Sequence, residues 1–170
     1  YYFNYYGSNF NADELSRSRF ILSYSKKNIH IQAGDISPQL EQNLYGKGGS
    51  VKYLLKNNEF FLASTYYEYN DKLGYGGSYF HQMKATRMGL GYSVIESNSI
   101  DLTSQLGFVT VGSSFKKLGS FNLKLGGSET QTIDDTFIGY GGAFNYNNKF
   151  KRTILAIKSA YGNELYTGTY

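Results

Sequence analysis

The sequence contains no cysteine and no tryptophan, and it has only two histidines in 170 residues. The absence of cysteine excludes disulfides and thiol chemistry. No apolar run approaches the roughly 18 residues of a membrane-spanning helix, which excludes a helical membrane protein, and the mean hydropathy is −0.43. The net charge of +4 comes from scattered lysines, so we expect no nucleic-acid partner.

Groups that would carry chemistry are equally scarce. Neither His30 nor His81 begins a metal-ligand spacing, and no nucleophile motif accompanies Ser93 or Ser104. A histidine on a strand is more often a structural residue than a catalytic one. We therefore predict that the protein is not an enzyme and has no catalytic residue, metal or cofactor.

What the sequence does contain is alternation of apolar and polar residues in four pairs of strands that meet at short turns. In each pair, the apolar residues of both strands are expected to share one face. A slip of one residue in the pairing would turn every side chain of one strand to the opposite face. The turns are expected at 26–27, 57–58, 96–98 and 147–148, with Asn supplying the positive φ. The apolar sets are Phe20, Leu22, Tyr24, Ile29, Ile31 and Ala33; Val51, Tyr53, Leu55, Phe60, Leu62 and Tyr66; Met88, Leu90, Tyr92, Val94, Ile100, Leu102, Leu106 and Phe108; and Ile138, Tyr140, Phe144, Tyr146, Leu155, Ile157 and Tyr161.

The opposite face of these strands is rich in glycine and in small polar residues. A soluble sandwich shows water a charged face, whereas a membrane barrel shows lipid its apolar face and hides a polar or small one. Glycine weakens a solvent-facing sheet but suits a crowded lumen. The residues are Arg87, Gly89, Gly91 and Ser93; Asp101, Thr103, Gln105 and Gly107; and Phe137, Gly139, Gly141, Ala143 and Asn145.

Aromatic residues are placed as a membrane barrel would need them. Tyrosine favours the level of the lipid headgroups, where its ring is buried and its hydroxyl stays wet. Without tryptophan, such girdles must consist of Tyr and Phe. We predict one girdle near the short turns from Tyr24, Phe60, Tyr92, Phe144 and Tyr146, and a second at the other strand ends from Tyr66, Tyr67, Tyr69, Tyr79, Phe80 and Phe108.

These patterns predict an all-β fold, an antiparallel up-and-down transmembrane β-barrel of about 8–10 strands, or a sector of a larger barrel. We assign residues 1–170 to a single barrel domain, which starts without Met as a mature or excised form would. Residues 1–6 and 164–170 are expected to be strands that pair with each other. The longer connections are expected at 7–16, 35–49, 70–80 and 110–135. For 110–135, a further strand pair or an extension of the barrel strands above the membrane is the alternative.

Residues 34–50 carry a resemblance to a known family. Asp35 follows the strand-ending Gly34, and after a loop Lys47 stands between two glycines at the start of the next strand. This arrangement resembles a segment of fimbrial ushers and related large outer-membrane secretion barrels. The resemblance implies an outer-membrane barrel rather than a particular export system, because this sequence contains no counterpart of the usher plug and periplasmic domains.

The predicted lumen carries more cations than carboxylates. The candidate lumen-facing residues are Lys52, Lys56, Arg87, Asp101, Lys124, Arg152 and Lys158. They favour either a wet, slightly anion-selective pore or an internal salt-bridge network that conducts nothing.

The predicted location is the bacterial outer membrane, and the expected partners are the lipid bilayer with its lipopolysaccharide and a further envelope protein. The first functional hypothesis is a pore, translocation or anchoring component. The alternatives are a non-conducting barrel whose Tyr- and Gly-rich loops bind a protein or glycan, and a soluble β-sandwich that binds carbohydrate.

Overall fold

The computed structural model describes residues 2–7, 20–38, 40–68, 71–116, 118–150 and 153–168. This part of the chain forms a single antiparallel sheet of eleven strands in chain order. The strands are β1 (Tyr2–Gly7), β2 (Phe20–Lys26), β3 (Ile29–Ile36), β4 (Gly46–Leu55), β5 (Asn58–Tyr67), β6 (Lys72–Met83), β7 (Thr86–Ser97), β8 (Leu102–Phe115), β9 (Gly119–Gln131), β10 (Thr136–Phe150) and β11 (Thr153–Gly162). A short 3-10 helix, Asn98–Ile100, separates β7 from β8.

The prediction of an all-β, antiparallel, up-and-down fold is confirmed. The strand number is one above the expected range, and the described strands form an open sheet in which β1 pairs with β2 and β11 with β10. Because eleven strands alternate in direction, β1 and β11 run the same way. The segment from Glu164 onward was expected to be a strand, but as far as residue 168 it is a turn followed by irregular backbone. No helix in the described ranges is long and apolar enough to cross a membrane.

The two faces of the sheet differ in chemistry, as predicted. We call the face that carries Val51, Leu62 and Leu90 the outer face, since these side chains are 44%, 67% and 55% exposed. The inner face carries Ser93 and Ser104, which are buried beneath other segments of the chain. Residues paired across two strands share a face, so the pairing assigns every described side chain of β2–β11 to one face or the other.

The face assignment holds for the first, second and fourth predicted hairpins but is wrong for the third. Leu106 pairs with Ser93 and therefore lies on the inner face, opposite to Leu90 and Tyr92. The expected turn at 96–98 is instead a four-residue connection, 98–101, which adds one residue and reverses β8. The other affected residues are Leu102 and Phe108, now on the inner face, and Thr103, Gln105 and Gly107, now on the outer face.

The connections form two rims. The turn side carries the short turns at 27–28, 56–57 and 84–85 and the connection from β8 to β9. The loop side carries the connections from β3 to β4, β5 to β6, β7 to β8 and β9 to β10. Two predicted long connections contain strands, because β6 occupies most of 70–80 and β9 lies within 110–135. The turn expected at 147–148 falls inside β10. Most of the predicted connection 7–16 lies outside the described residues.

The first residue of each short turn has a left-handed backbone conformation. Its φ is +47° at Lys27, +52° at Lys56 and +43° at Lys84. We expected asparagine to take the positive φ, but Asn28 and Asn57 occupy the second turn position. The peptide carbonyls of Asn28 and Asn57 accept hydrogen bonds from strands of the next hairpin, which ties successive hairpins together.

Successive hairpins are staggered by a constant amount on the turn side. Ile29, the first residue after the β2–β3 turn, pairs with Tyr53, and β4 then runs two residues further to Leu55. The same two-residue extension follows the next two hairpins, after the pairs Asn58–His81 and Thr86–Ser113. From one hairpin to the next, the turn therefore shifts by two residues, about 6.6 Å, along the strand direction and by two strand spacings, about 9.6 Å, across the sheet. A strand tilt of about 35° would compensate for this shift and bring the turns to one level.

Candidate functional site

A segment between β3 and β4, residues 40–44, lies on the inner face and is called the inner segment. Its centre is Gln42, which is 1% exposed. The Gln42 side chain donates to Ser104 Oγ at 2.9 Å and to Thr167 Oγ1 at 3.2 Å, and it accepts from the Ser93 hydroxyl at 3.0 Å. These bonds satisfy a buried amide with hydroxyls from two neighbouring strands and from the C-terminal region.

Two further contacts hold the inner segment on strands distant from β3 and β4. The Lys124 ammonium on β9 lies 2.6 Å from Glu41 Oε2, and both side chains are largely buried. Leu44 packs against Gly74 of β6, where an added Cβ would come within 2.7 Å of Leu44 Cδ2. A side chain at position 74 would therefore displace Leu44, which explains a glycine in the middle of a strand.

The C-terminal segment, residues 163–168, covers the neighbouring part of the inner face. The Ser128 hydroxyl accepts from the Thr167 amide at 3.2 Å and donates to the Leu165 carbonyl at 3.4 Å. A Cβ at Gly139 would lie 2.4 Å from the Leu165 carbonyl oxygen. β9 thus binds the backbone of this segment, and Gly139 of β10 lies directly against it.

The loop-side half of the inner face is consequently filled. Leu40 and Leu44 of the inner segment are buried, as are Leu106 and Phe108 of β8. These residues belong to the apolar core of the described chain, and the network around Gln42 lies beside them. The core therefore lies between the sheet and the two covering segments, and not between two sheets.

The turn-side half of the inner face is open and cationic. Glu59 binds two cations, with Lys52 Nζ at 2.8 Å from Oε1 and Arg87 Nη2 at 3.2 Å from Oε2. The Arg87 guanidinium lies 4.2 Å from the centre of the Phe80 ring, which is a cation–π distance. Phe80 lies over Gly89, where an added Cβ would come within 2.2 Å of the ring. One carboxylate and one aromatic ring therefore fix the position of the guanidinium.

A row of paired residues on neighbouring strands continues from Arg87 across the sheet, and we call it the polar row. Each member pairs with the next on the neighbouring strand, and all face inward. The members are Gln82, Arg87, Gly112, Asn122, Asn145 and Lys158. At its β9–β11 end the row borders a hollow of about 390 Å³, lined by Asn122, Asn145 and Lys158 among others.

The structure places the predicted lumen-facing residues in different positions. Four of them face inward, namely Lys52, Arg87, Lys124 and Lys158. Lys56 and Asp101 are turn residues with φ of +52° and +41°, so the prediction that they face the lumen is wrong. Arg152 lies outside the described residues.

The five predicted girdle residues, Tyr24, Phe60, Tyr92, Phe144 and Tyr146, all lie on the outer face. They do not form one level, because Tyr24 and Phe60 lie three residues from a turn whereas Tyr92 lies near the middle of β7. In the predicted second girdle, Tyr66 and Tyr79 face outward. Tyr67, Phe80 and Phe108 face inward instead, and Tyr69 lies outside the described residues.

The sequence-based analysis did not find the inner segment. It placed residues 35–49 in a loop, and the only signal was the alternation of Leu40, Gln42 and Leu44. The histidines take part in local bonds, His30 Nδ1 with Ser25 Oγ at 2.5 Å and His81 Nδ1 with Asn58 Oδ1 at 2.8 Å. Within the described ranges, no cluster of three His, Cys, Asp or Glu side chains could hold a metal ion.

Comparison with known proteins gives no match, whether to family models, to curated proteins or to solved structures.

The contact between Glu41 and Lys124 can be tested by zero-length cross-linking. A water-soluble carbodiimide should join the Glu41 carboxylate to the Lys124 amine as an amide with loss of water, because their atoms lie 2.6 Å apart. Mass spectrometry of the digested protein should detect the linked peptides, and Glu41→Gln should abolish the link. Lys52 and Glu59, 2.8 Å apart, provide the internal standard. A Lys52–Glu59 link without a Glu41–Lys124 link would show that the inner segment does not dock.

Proposed function

We propose that this chain forms the wall of a β-barrel in the bacterial outer membrane, as a whole barrel or as a sector of a larger one. There it acts as a pore, translocation or anchoring component. The observation that carries the proposal is a line of apolar residues on the outer face. Each strand from β2 to β11 has an outward-facing residue four positions from its turn-side end. All ten positions are aliphatic or aromatic: Leu22, Ala33, Val51, Leu62, Tyr79, Leu90, Val111, Leu123, Tyr146 and Ile157.

The height of the apolar band also supports a membrane. On β7, no charged residue faces outward between Thr86 and Glu96. Glu96, which ends this stretch, lies ten residues further along the strand than Thr86. At a tilt of about 35°, ten residues rise about 27 Å, close to the roughly 25 Å apolar band of outer-membrane barrels. Water would have to cover the same band in a soluble protein, and a contiguous apolar surface of this size is rare in soluble monomers.

The open edges favour a sector of a larger barrel. Backbone groups in lipid must all be hydrogen-bonded, so the outer edges of β1 and β11, which have no partner among the described strands, need partner strands in a membrane. Because these two edges run in the same direction, direct closure would require a parallel pair, whereas bacterial single-chain barrels close with an even number of antiparallel strands. The usher resemblance of residues 34–50 stays a prediction consistent with a larger barrel.

A second function is favoured by the covered inner face. The inner segment and the C-terminal segment occupy the loop-side half of the lumen of such a barrel. This arrangement suits a non-conducting barrel that binds a partner protein or glycan. A β-sandwich is less favoured, because the described strands form one sheet and no second sheet covers it.

The proposal is tested by refolding the chain into detergent micelles and comparing boiled and unboiled samples by gel electrophoresis. We expect a band that shifts on boiling, together with a β-type circular dichroism spectrum, because a folded barrel resists the detergent at room temperature. A monomeric β protein that stays in solution at high concentration without detergent would refute the membrane location. Planar-bilayer recording of the shifted form then separates the two functions: discrete current steps support the pore, and silence supports the non-conducting barrel.

A further inference from the structure

The open, turn-side half of the inner face carries a second set of features that the membrane proposal does not explain. The polar row presents carboxamides at Gln82, Asn122 and Asn145, with a cation near one end at Arg87 and at the other end at Lys158. Lys52 adds a further cation beside Arg87 through their shared carboxylate, Glu59. Two cations share one carboxylate there, so the cluster has a net positive charge.

From these features we propose that the polar row binds an elongated anionic solute, such as an acidic oligosaccharide, along the inner face. Carboxamides both donate and accept hydrogen bonds, so they match sugar hydroxyls. Guanidinium and ammonium groups match carboxylates, and a guanidinium does so with two parallel bonds. Both types of group occur along this one row, as hydroxyls and carboxylates both occur along an acidic sugar chain.

The geometry of Arg87 indicates a recognition role. Stacking on Phe80 and bonding to Glu59 hold the guanidinium in one orientation while nearly half of the side chain stays exposed. A positioned guanidinium loses less conformational entropy on binding than a free one. Its neighbour in the row is Gly112, where an added Cβ would lie 3.3 Å from Asn122 Oδ1, so the Asn122 carboxamide leans towards the Arg87 side of the row.

The length of the row favours an elongated ligand over a small anion. Arg87 on β7 and Lys158 on β11 are separated by four strand spacings, about 19 Å along the sheet. A single phosphate or carboxylate contacts one end only. A chain of several acidic sugar units reaches both ends and the hollow beside Asn122, Asn145 and Lys158.

This inference rests on the proposed function in one respect, because the polar row lines a lumen only if the sheet is a barrel wall. Folding is followed by circular dichroism and binding by calorimetry, so failure of the proposed function and failure of the binding site are distinguishable.

The test is isothermal titration calorimetry of the refolded full chain in micelles with hexagalacturonate, using maltohexaose as the neutral sugar of equal length. We expect binding of hexagalacturonate with one ligand per chain and no detectable binding of maltohexaose. Arg87→Gln and Lys158→Gln should each weaken binding by about tenfold, the effect of losing a charge-assisted hydrogen bond. The control is Lys56→Gln, which removes the same charge from the turn between β4 and β5, and it should change the affinity less than about twofold.

Four results would overturn the proposal. They are the absence of hexagalacturonate binding, equal binding of maltohexaose, a loss in Lys56→Gln as large as that in Arg87→Gln, and unchanged affinity in Lys158→Gln. The third would show a response to net charge alone, and the fourth a small anion site confined to Arg87.

Discussion

Replacing Leu62 by arginine is expected to lower the free energy of unfolding in lipid vesicles by about 2–4 kcal/mol, the cost of a lipid-facing arginine near the bilayer midplane. Leu62 is 67% exposed on the outer face, four residues from the turn-side end of β5. In water, the same substitution at so exposed a position would change stability by less than about 0.5 kcal/mol. The two environments therefore predict clearly different results. Urea unfolding of the protein in vesicles, followed by circular dichroism, measures the difference.

Gln105→Arg is the matched control for Leu62→Arg. Gln105 also faces outward, but it lies at the loop-side edge of the apolar band, where it pairs with Val94 on one side and with Glu129 on the other. Charged substitutions near the interface cost about 0–1 kcal/mol. If Leu62→Arg proves as mild as Gln105→Arg, the outer face is not in contact with lipid hydrocarbon.

The second large effect is expected at the inner segment. Gln42→Ala should destabilise the folded protein by about 2–4 kcal/mol, because it leaves the buried hydroxyls of Ser93 and Ser104 without this partner and opens a cavity beside Leu44. The measurement is the midpoint of urea unfolding in micelles. Gln42→Ala should also accelerate hydrogen exchange more in residues 40–44 than in the centre of β7, because the contacts of the inner segment are lost first.

Asn43→Ala is the neighbouring control. Asn43 is exposed, whereas Gln42 and Leu44 on either side are buried. An exposed substitution of this kind changes stability by less than about 0.5 kcal/mol. Equal effects of Gln42→Ala and Asn43→Ala would mean that the network around Gln42 does not hold the segment in place.

The general fold could be predicted because the alternation of apolar residues is strong. In β4 and β5, Val51, Tyr53, Phe60 and Leu62 leave only one assignment of faces, and the structure agrees. β7 and β8 show the limit of this reasoning. Ser97 and Leu102 enclose four residues that include a one-turn 3-10 helix, and whether such a connection holds three or four residues depends on backbone geometry that no side-chain pattern records.

The candidate site was less predictable than the fold. Lys52 and Arg87 could be assigned to the inner face from alternation alone, and the structure adds that both bind Glu59. The docking of Gln42 could not be predicted, because its partners Ser93, Ser104 and Thr167 are 51, 62 and 125 residues away in the sequence. Local patterns carry no information on contacts at such separations, which depend on the curvature and register of the whole sheet.

The odd number of strands also places the two ends of the described sheet on opposite rims. Tyr2 pairs with Ser25, two residues from the β2–β3 turn, and so lies on the turn side. Gly162 ends β11 on the loop side, and the C-terminal segment folds inward from there. In an outer membrane with short turns towards the periplasm, a protein fused before Tyr2 would stay in the periplasm, whereas one fused after residue 168 would have to leave through the exterior rim. If the sheet lies in an outer membrane, the proposal therefore predicts that a reporter before Tyr2 and a reporter after residue 168 would each be accessible to protease from only one side of that membrane.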